Sequence, residues 1–240
     1  MAGLLVGPFC RGAAVATVFS VAACGPKGRA VIDSDSAKET STSPVVHDTS
    51  TTRRKIVFAG TSLTAGYGLD PDSAFSYLIQ RKIDSAGLPF ETVNAGVSGE
   101  TTAGLIQRLD WLLKGTFDVL VIESGANDGL RGVRADAIEE NLAEVVRRVR
   151  ASRPDALILL VQMEALPNYG RSYGTSFHDA YTRVARQTKV TVLPFLLNDV
   201  AGHAELNQND GIHPNIRGEH IVAENMWRAL EPVLQQRAGR

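Results

Sequence analysis

From residue 55 onward the chain alternates short apolar runs with longer stretches in which apolar residues recur every three or four positions. Residues 55–59 (KIVFA), 90–94 (FETVN), 117–123 (FDVLVIE), 156–162 (ALILLVQ) and 190–193 (VTVL) read as strands. Between and after them, residues 73–86, 101–114, 135–152, 172–187 and 218–236 carry helical spacing. In the first of these helices Phe75, Leu78, Ile79 and Ile83 share a face, with Ser73 as the expected cap and Gly87 as the stop. In the third helix Ile138, Leu142, Val145, Val146 and Val149 form one stripe opposite Glu140, Glu144, Arg147 and Arg148. The run 117–123 is almost continuously apolar, as a central parallel strand covered on both faces must be. Strict alternation of strand and helix predicts an α/β fold, a mainly parallel sheet of about five strands with helices on both sides. No internal repeat is present.

Open parallel sheets bind ligands beyond the carboxyl ends of their strands, so the loops after the strands are where chemistry is expected. The first loop opens Gly60-Thr61-Ser62-Leu63, and the second reads Asn94-Ala95-Gly96-Val97-Ser98-Gly99-Glu100-Thr101. The third reads Glu123-Ser124-Gly125-Ala126-Asn127-Asp128-Gly129, and Asp210-Gly211-Ile212-His213-Pro214-Asn215 follows the last strand. Together they supply the parts of an acyl-transfer site. A serine hydroxyl attacks poorly until a base removes its proton, and neutral imidazole is the base suited to neutral pH. Ser62 and His213 fit those roles, and Asp210 would hold the imidazole tautomer and stabilise the imidazolium. The Ser62 N–H, the Gly99 N–H and the Asn127 side-chain amide would receive the oxyanion. A glycine at position 99 would keep side-chain bulk away from the substrate.

These four blocks, in this order and spacing, resemble the SGNH hydrolases, the GDSL esterases and lipases. Within them they are similar to the bacterial branch of thioesterase I/lysophospholipase L1 and the arylesterases. The resemblance runs from Lys55 to the end of the chain. It includes Thr64-Ala65-Gly66-Tyr67-Gly68, Ala126-Asn127-Asp128-Gly129-Leu130-Arg131-Gly132 and Pro167-Asn168-Tyr169-Gly170. It implies a three-layer α/β/α sandwich with a flavodoxin-like sheet, no cofactor and no metal. By the family pattern Ser62 is the nucleophile, Gly99 and Asn127 are oxyanion donors, and Asp210 and His213 complete the triad. Two positions depart from the pattern. Thr61 stands where the motif usually has aspartate, which would alter the support or field of the Ser62 turn, and Ala126 stands where glycine is common. Residues 163–173 (MEALPNYGRSY) lack a period and are expected to form a mobile wall of the acyl pocket, with Leu166, Pro167 and Tyr169 near substrate.

Single features carry less than the set. A serine in a glycine turn is most often a cap, and an aspartate three residues before a histidine is often only a turn contact. Thr64 and Ser98 read as caps or loop hydrogen bonds, and Asp128 as a structural acceptor for backbone amides. His47, His178, His203 and His220 read as surface or structural residues. A hydroxyl-rich turn after the first strand also suits a flavin phosphate loop, as in flavodoxin-like electron carriers. That alternative leaves Gly99, Asn127, Asp210 and His213 without a task. The other readings are a carbohydrate deacetylase of the same chemistry and a non-catalytic binding lipoprotein.

Composition narrows the partners. The 240 residues are 44% hydrophobic, and the net charge is −1 with no extended basic run, which argues against nucleic acid. Both cysteines, Cys10 and Cys24, lie near the start, so the body has no disulfide or thiolate site. Residues 1–24 read as an export signal whose apolar run is shorter than the roughly 20 residues a bilayer needs. It ends Val21-Ala22-Ala23-Cys24, similar to a bacterial lipobox with Cys24 as the lipidated residue. An ordinary signal cleaved after Ala23 is the alternative. Residues 25–54 are polar and aperiodic and read as a tether, with the hydrolase domain at 55–240. A monomer is expected, taking a small ester or lipid substrate, exported and anchored to the membrane through Cys24.

Overall fold

The computed structural model describes residues 52–239, so the expected signal, Cys24, His47 and nearly all of the tether lie outside the described residues. Strand β1 (Arg54–Gly60) leads into a four-residue helix α1 (Ser62–Ala65), and a 3₁₀ turn (Pro71–Ser73) precedes α2 (Phe75–Ser85). Then come β2 (Phe90–Gly96), α3 (Thr102–Leu112), β3 (Val119–Ile122) and α4 (Ala126–Leu130). The chain continues through α5 (Ala135–Ser152), β4 (Leu157–Val161), α6 (Gly170–Thr188), β5 (Thr191–Leu193) and α7 (Ile216–Ala238). The five strands pair in the order β2-β1-β3-β4-β5, all parallel. Helix α2 packs with α7, and α5 packs with both α3 and α6, giving two helical layers around the sheet. The fold is the expected α/β architecture.

Register places the chemistry. Gly60 pairs with Gly96, Ala59 with Ile122, Ile122 with Leu160 and Val161 with Leu193. The strands therefore end at nearly one level, and their loops leave from a common edge. All four residues of β3 are buried, as its continuous apolar run requires, and the apolar stripe of α5 is buried from Ile138 to Val149. None of the described helices is long and apolar enough to cross a membrane.

The cap of α2 differs from the expectation. Ser73 belongs to the preceding 3₁₀ turn, and Ala74 occupies the cap position without a side-chain bond. The Phe75 N–H instead donates to the carboxylate of Glu219, from α7, at 2.7 Å. A local cap is legible from spacing; a cap supplied 144 residues later is not. Helix α6 also starts two residues before the expected 172, at Gly170, because the 3₁₀ turn Pro167–Tyr169 runs straight into it.

Candidate active site

Ser62 is the first residue of α1, and Thr61 caps that turn, its side-chain oxygen accepting from Leu63 N at 3.4 Å. Ser62 Oγ lies 2.9 Å from His213 Nε2, and His213 Nδ1 lies 2.7 Å from Asp210 Oδ2. With Nδ1–H donating to the carboxylate, the Nε2 lone pair is free to accept the serine proton. Asp210 Oδ1 accepts the N–H groups of Ile212 (2.9 Å) and His213 (3.0 Å). The backbone bond from His213 and the bond from its ring lower the Asp210 pKa to about 2, so the carboxylate stays charged opposite the imidazole.

The loop between β5 and α7 is tied down at several points. Asn207 pairs with Pro214 across an isolated antiparallel bridge, and Gln208 N donates to His213 O at 2.7 Å. Gln208 Nε2 donates to Tyr67 O (2.7 Å) and Pro214 O (3.0 Å), which joins the histidine loop to the serine loop. The Tyr67 ring lies 4.6 Å from the His213 ring and flanks it. Tyr67 was visible in the sequence only as part of a longer signature; its packing on the histidine depends on the fold.

Ser62, Gly99 and Asn127, the expected oxyanion donors, border one cavity. Neither Ser62 N–H nor Gly99 N–H donates to another group among the described residues, so both are available to a ligand. Asn127 Nδ2 donates to Glu100 O at 3.0 Å, which orients the amide and leaves its second N–H free. Arg131 Nη2 holds the Gly99 carbonyl at 3.0 Å. Asp128 accepts from Thr102 N (2.9 Å) and Thr102 Oγ1 (2.7 Å), fastening the loop after β2 to α4. Backbone conformation gives a further reason for glycine at 99. An added Cβ would come no nearer than 4.0 Å to Arg131, but the residue sits at φ +78°, a conformation that side chains disfavour.

These residues border a cavity of about 560 Å³ whose lining is mainly apolar. Leu166 and Pro167 line it as expected, joined by Leu130, Met163, Phe195 and Ile212, which periodicity did not single out. Tyr169 does not line it. Its hydroxyl donates to Leu130 O at 3.3 Å and its ring lies over Gly132, where a Cβ would come within 2.8 Å. Tyr169 thus braces the end of α4 from outside the cavity. Position in a loop did not reveal which way the ring would turn.

Two buried carboxylates lie behind the site. Glu123 is 1% exposed and Glu219 2% exposed. Burial raises Glu123 to about 7, and burial together with the charge of Glu123 raises Glu219 to about 8. In the unfolded chain both would ionise near their ordinary 4.5. Between pH 4.5 and about 8 the folded state therefore binds more protons than the unfolded state, and stability falls as pH rises. The thermal midpoint should drop by several degrees from pH 5 to 9, since such shifts are worth on the order of a few kcal/mol. Glu219→Gln should flatten that slope in pH-dependent thermal melts; an unchanged slope would show that Glu219 does not titrate there. Asp210 has the opposite sign, and its contribution is lost only as pH falls from 3.8 towards 2.

A hydroxyl, an imidazole and a carboxylate in hydrogen-bonded series on a doubly covered parallel sheet are the parts of a serine hydrolase. The chain belongs to the GDSL-like Lipase/Acylhydrolase family, whose model matches residues 58–221. It is 38% identical over 180 residues to Esterase TesA of Pseudomonas aeruginosa, covering 75% of this chain and 89% of that one. It is 33% identical to Thioesterase 1/protease 1/lysophospholipase L1 of Escherichia coli K12, covering 75% and 84%. Among solved structures, the psychrotrophic esterase EstA from Pseudoalteromonas sp. superposes with a TM-score of 0.72 at 33% identity, over 76% of this chain and 99% of that one.

Proposed function

We propose that this protein hydrolyses carboxylic esters through an acyl-serine intermediate on Ser62. The observation that carries this reading is the series Ser62–His213–Asp210, at 2.9 and 2.7 Å, opening onto an apolar cavity. His213 Nε2 takes the Ser62 proton as Oγ attacks the ester carbonyl, and Asp210 stabilises the imidazolium. The carbonyl oxygen becomes an oxyanion facing Ser62 N–H, Gly99 N–H and Asn127 Nδ2. As the intermediate collapses, His213 returns the proton to the departing alcohol or thiol, leaving acyl-Ser62. Water, deprotonated by His213, then releases the acid and restores the serine.

The apolar lining supports an acyl chain as the group bound in the cavity, with aryl or short-to-medium acyl esters, lysophospholipids and thioesters as substrates. A carbohydrate ester suits it less well, because a sugar ring needs several polar partners at the wall. The relatives' names fit the first reading: esterase, arylesterase, and thioesterase/lysophospholipase. The Pseudoalteromonas esterase was captured inhibited by monoethylphosphonate, which suits a phosphonate probe here. The test is a p-nitrophenyl ester series of increasing chain length, run beside a lysophospholipid and an acyl thioester. Turnover is expected, with one equivalent of a fluorophosphonate probe titrating it; folded protein inert to the whole panel and to the probe would overturn the assignment. The run ending Val21-Ala22-Ala23-Cys24 supports an exported lipoprotein, periplasm-facing or at the surface, with Cys24 lipidated. Mass spectrometry of the mature N-terminus separates this from cleavage without lipid.

A further inference from the structure

The Thr61 turn has a second anchor beneath it. Glu123 follows β3 directly, and its N–H donates to Ala59 O at 2.9 Å, which fixes its backbone beside the end of β1. From there the carboxylate reaches under the Ser62 turn and accepts from Thr61 N at 2.8 Å. Thr61 Oγ1 donates to it at 3.0 Å from either carboxylate oxygen, and Thr64 Oγ1 donates at 2.9 Å. One buried side chain therefore holds the residue before the nucleophile and the residue two after it. Gly60 makes room for this arrangement, since a Cβ there would fall 1.9 Å from Thr64 Oγ1 and 2.6 Å from Glu123 Oε2.

We propose that Glu123 is a positioning residue for ester hydrolysis: by binding Thr61 and Thr64 it sets the aim of Ser62 Oγ and Ser62 N–H. The role rests on Ser62 being the nucleophile. It also gives Thr61 a task. An aspartate at 61, usual in the family motif, would set a second carboxylate against Glu123, and the two would have to share a proton. Thr61 supplies a hydroxyl donor instead, so Glu123 can be satisfied while ionised. Among the described residues its other titratable or charged neighbours are Glu219 of α7 and Tyr181 of α6, both shifted mainly by burial and further by its charge. Arg108 of α3 touches Gly60 O at 3.4 Å but is committed to Glu100 through bonds of 2.5 and 2.7 Å. Among the described residues no cation therefore neutralises the carboxylate; the turn's own donors satisfy it.

The test combines kinetics with a readout independent of turnover. Glu123→Ala should lower kcat by about 10–100-fold with KM little changed, because small misplacement of a reacting group costs rate and Glu123 does not line the substrate cavity. Glu123→Gln keeps an acceptor for Thr61 N–H and should recover kcat to within a few-fold of wild type. Thr61→Val and Thr64→Val, which remove the hydroxyl donors at nearly constant volume, should also lower kcat, at unchanged KM for Thr64, which does not line the cavity as Thr61 does, and they carry the test if Glu123→Ala does not fold. In wild type the Thr61 amide proton should resonate downfield in NMR spectra and move through a titration near neutral pH, and Glu123→Gln should abolish that movement. Wild-type kcat in Glu123→Ala, or in both threonine variants, would overturn the role, as would a Thr61 resonance indifferent to Glu123→Gln. A wild type inert to every ester would remove the hydrolase reading and the positioning role with it, and the Thr61 resonance would then report the clamp alone; an active wild type with unaffected variants would overturn the role by itself.

Discussion

Ser62→Ala should reduce kcat by about 10⁶-fold and abolish labelling by a fluorophosphonate, with the fold intact. Ser62 Oγ makes one hydrogen bond among the described residues, at 2.9 Å to His213 Nε2, so its removal deletes the nucleophile and little else. His213→Ala should cost a comparable factor, because the serine without its base is an ordinary alcohol. The double variant should be scarcely worse than either single one, since the pair acts as a unit. Residual turnover would come from the N–H donors and the cavity, which both variants retain. The measurement is kcat on a p-nitrophenyl ester together with probe stoichiometry. Ser62→Ala retaining about a tenth of wild-type turnover would place the nucleophile elsewhere, given the size of the expected loss.

Asn127→Ala should lower kcat by about 10²–10³-fold while leaving KM close to wild type. On the proposed mechanism the second Nδ2–H of Asn127 meets an oxygen whose negative charge develops only on the way to the tetrahedral intermediate, so its loss affects the transition state more than substrate binding. The side chain also holds Glu100 O at 3.0 Å, so a thermal melt must accompany the kinetics to separate a lost donor from a loosened loop. Asn127→Asp sharpens the test. It keeps the shape, removes both donors and adds a negative charge facing the oxyanion, so the loss should exceed that of the alanine variant. An aspartate variant with near-normal kcat would mean that Asn127 does not face the developing charge.

Much of this site was legible before any fold was in view, and the reason is local. Ser62, Gly99, Asn127 and the Asp210/His213 pair all follow predicted strands, and parallel strands deliver their following loops to one edge. The apolar stripe of α5 and the continuous run of β3 were equally plain, because burial of one face or of both leaves a simple pattern. The failures also have local causes. Ser73 looked like a cap because spacing sees only neighbours, whereas the acceptor for Phe75 N–H comes from Glu219 in the last helix. Tyr169 looked like a cavity residue because its segment is one, yet its ring turns to Gly132 and Leu130.

Glu123 marks the boundary between the two kinds of knowledge. Glu123 ends an almost continuously apolar run and drew no notice there, whereas Thr61 was a visible departure from a familiar motif. Sixty-two positions separate them, and no pattern within either run joins them. Strand order, loop placement and the residue types for acyl transfer were set by periodicity and side-chain chemistry, which act over a few residues and survive in the linear chain. Which carboxylate lies under the nucleophile, which helix end it serves and which aromatic ring faces the cavity depend on where separate segments meet. That was decided by tertiary packing alone, because hydrogen bonds and burial act on distances in space.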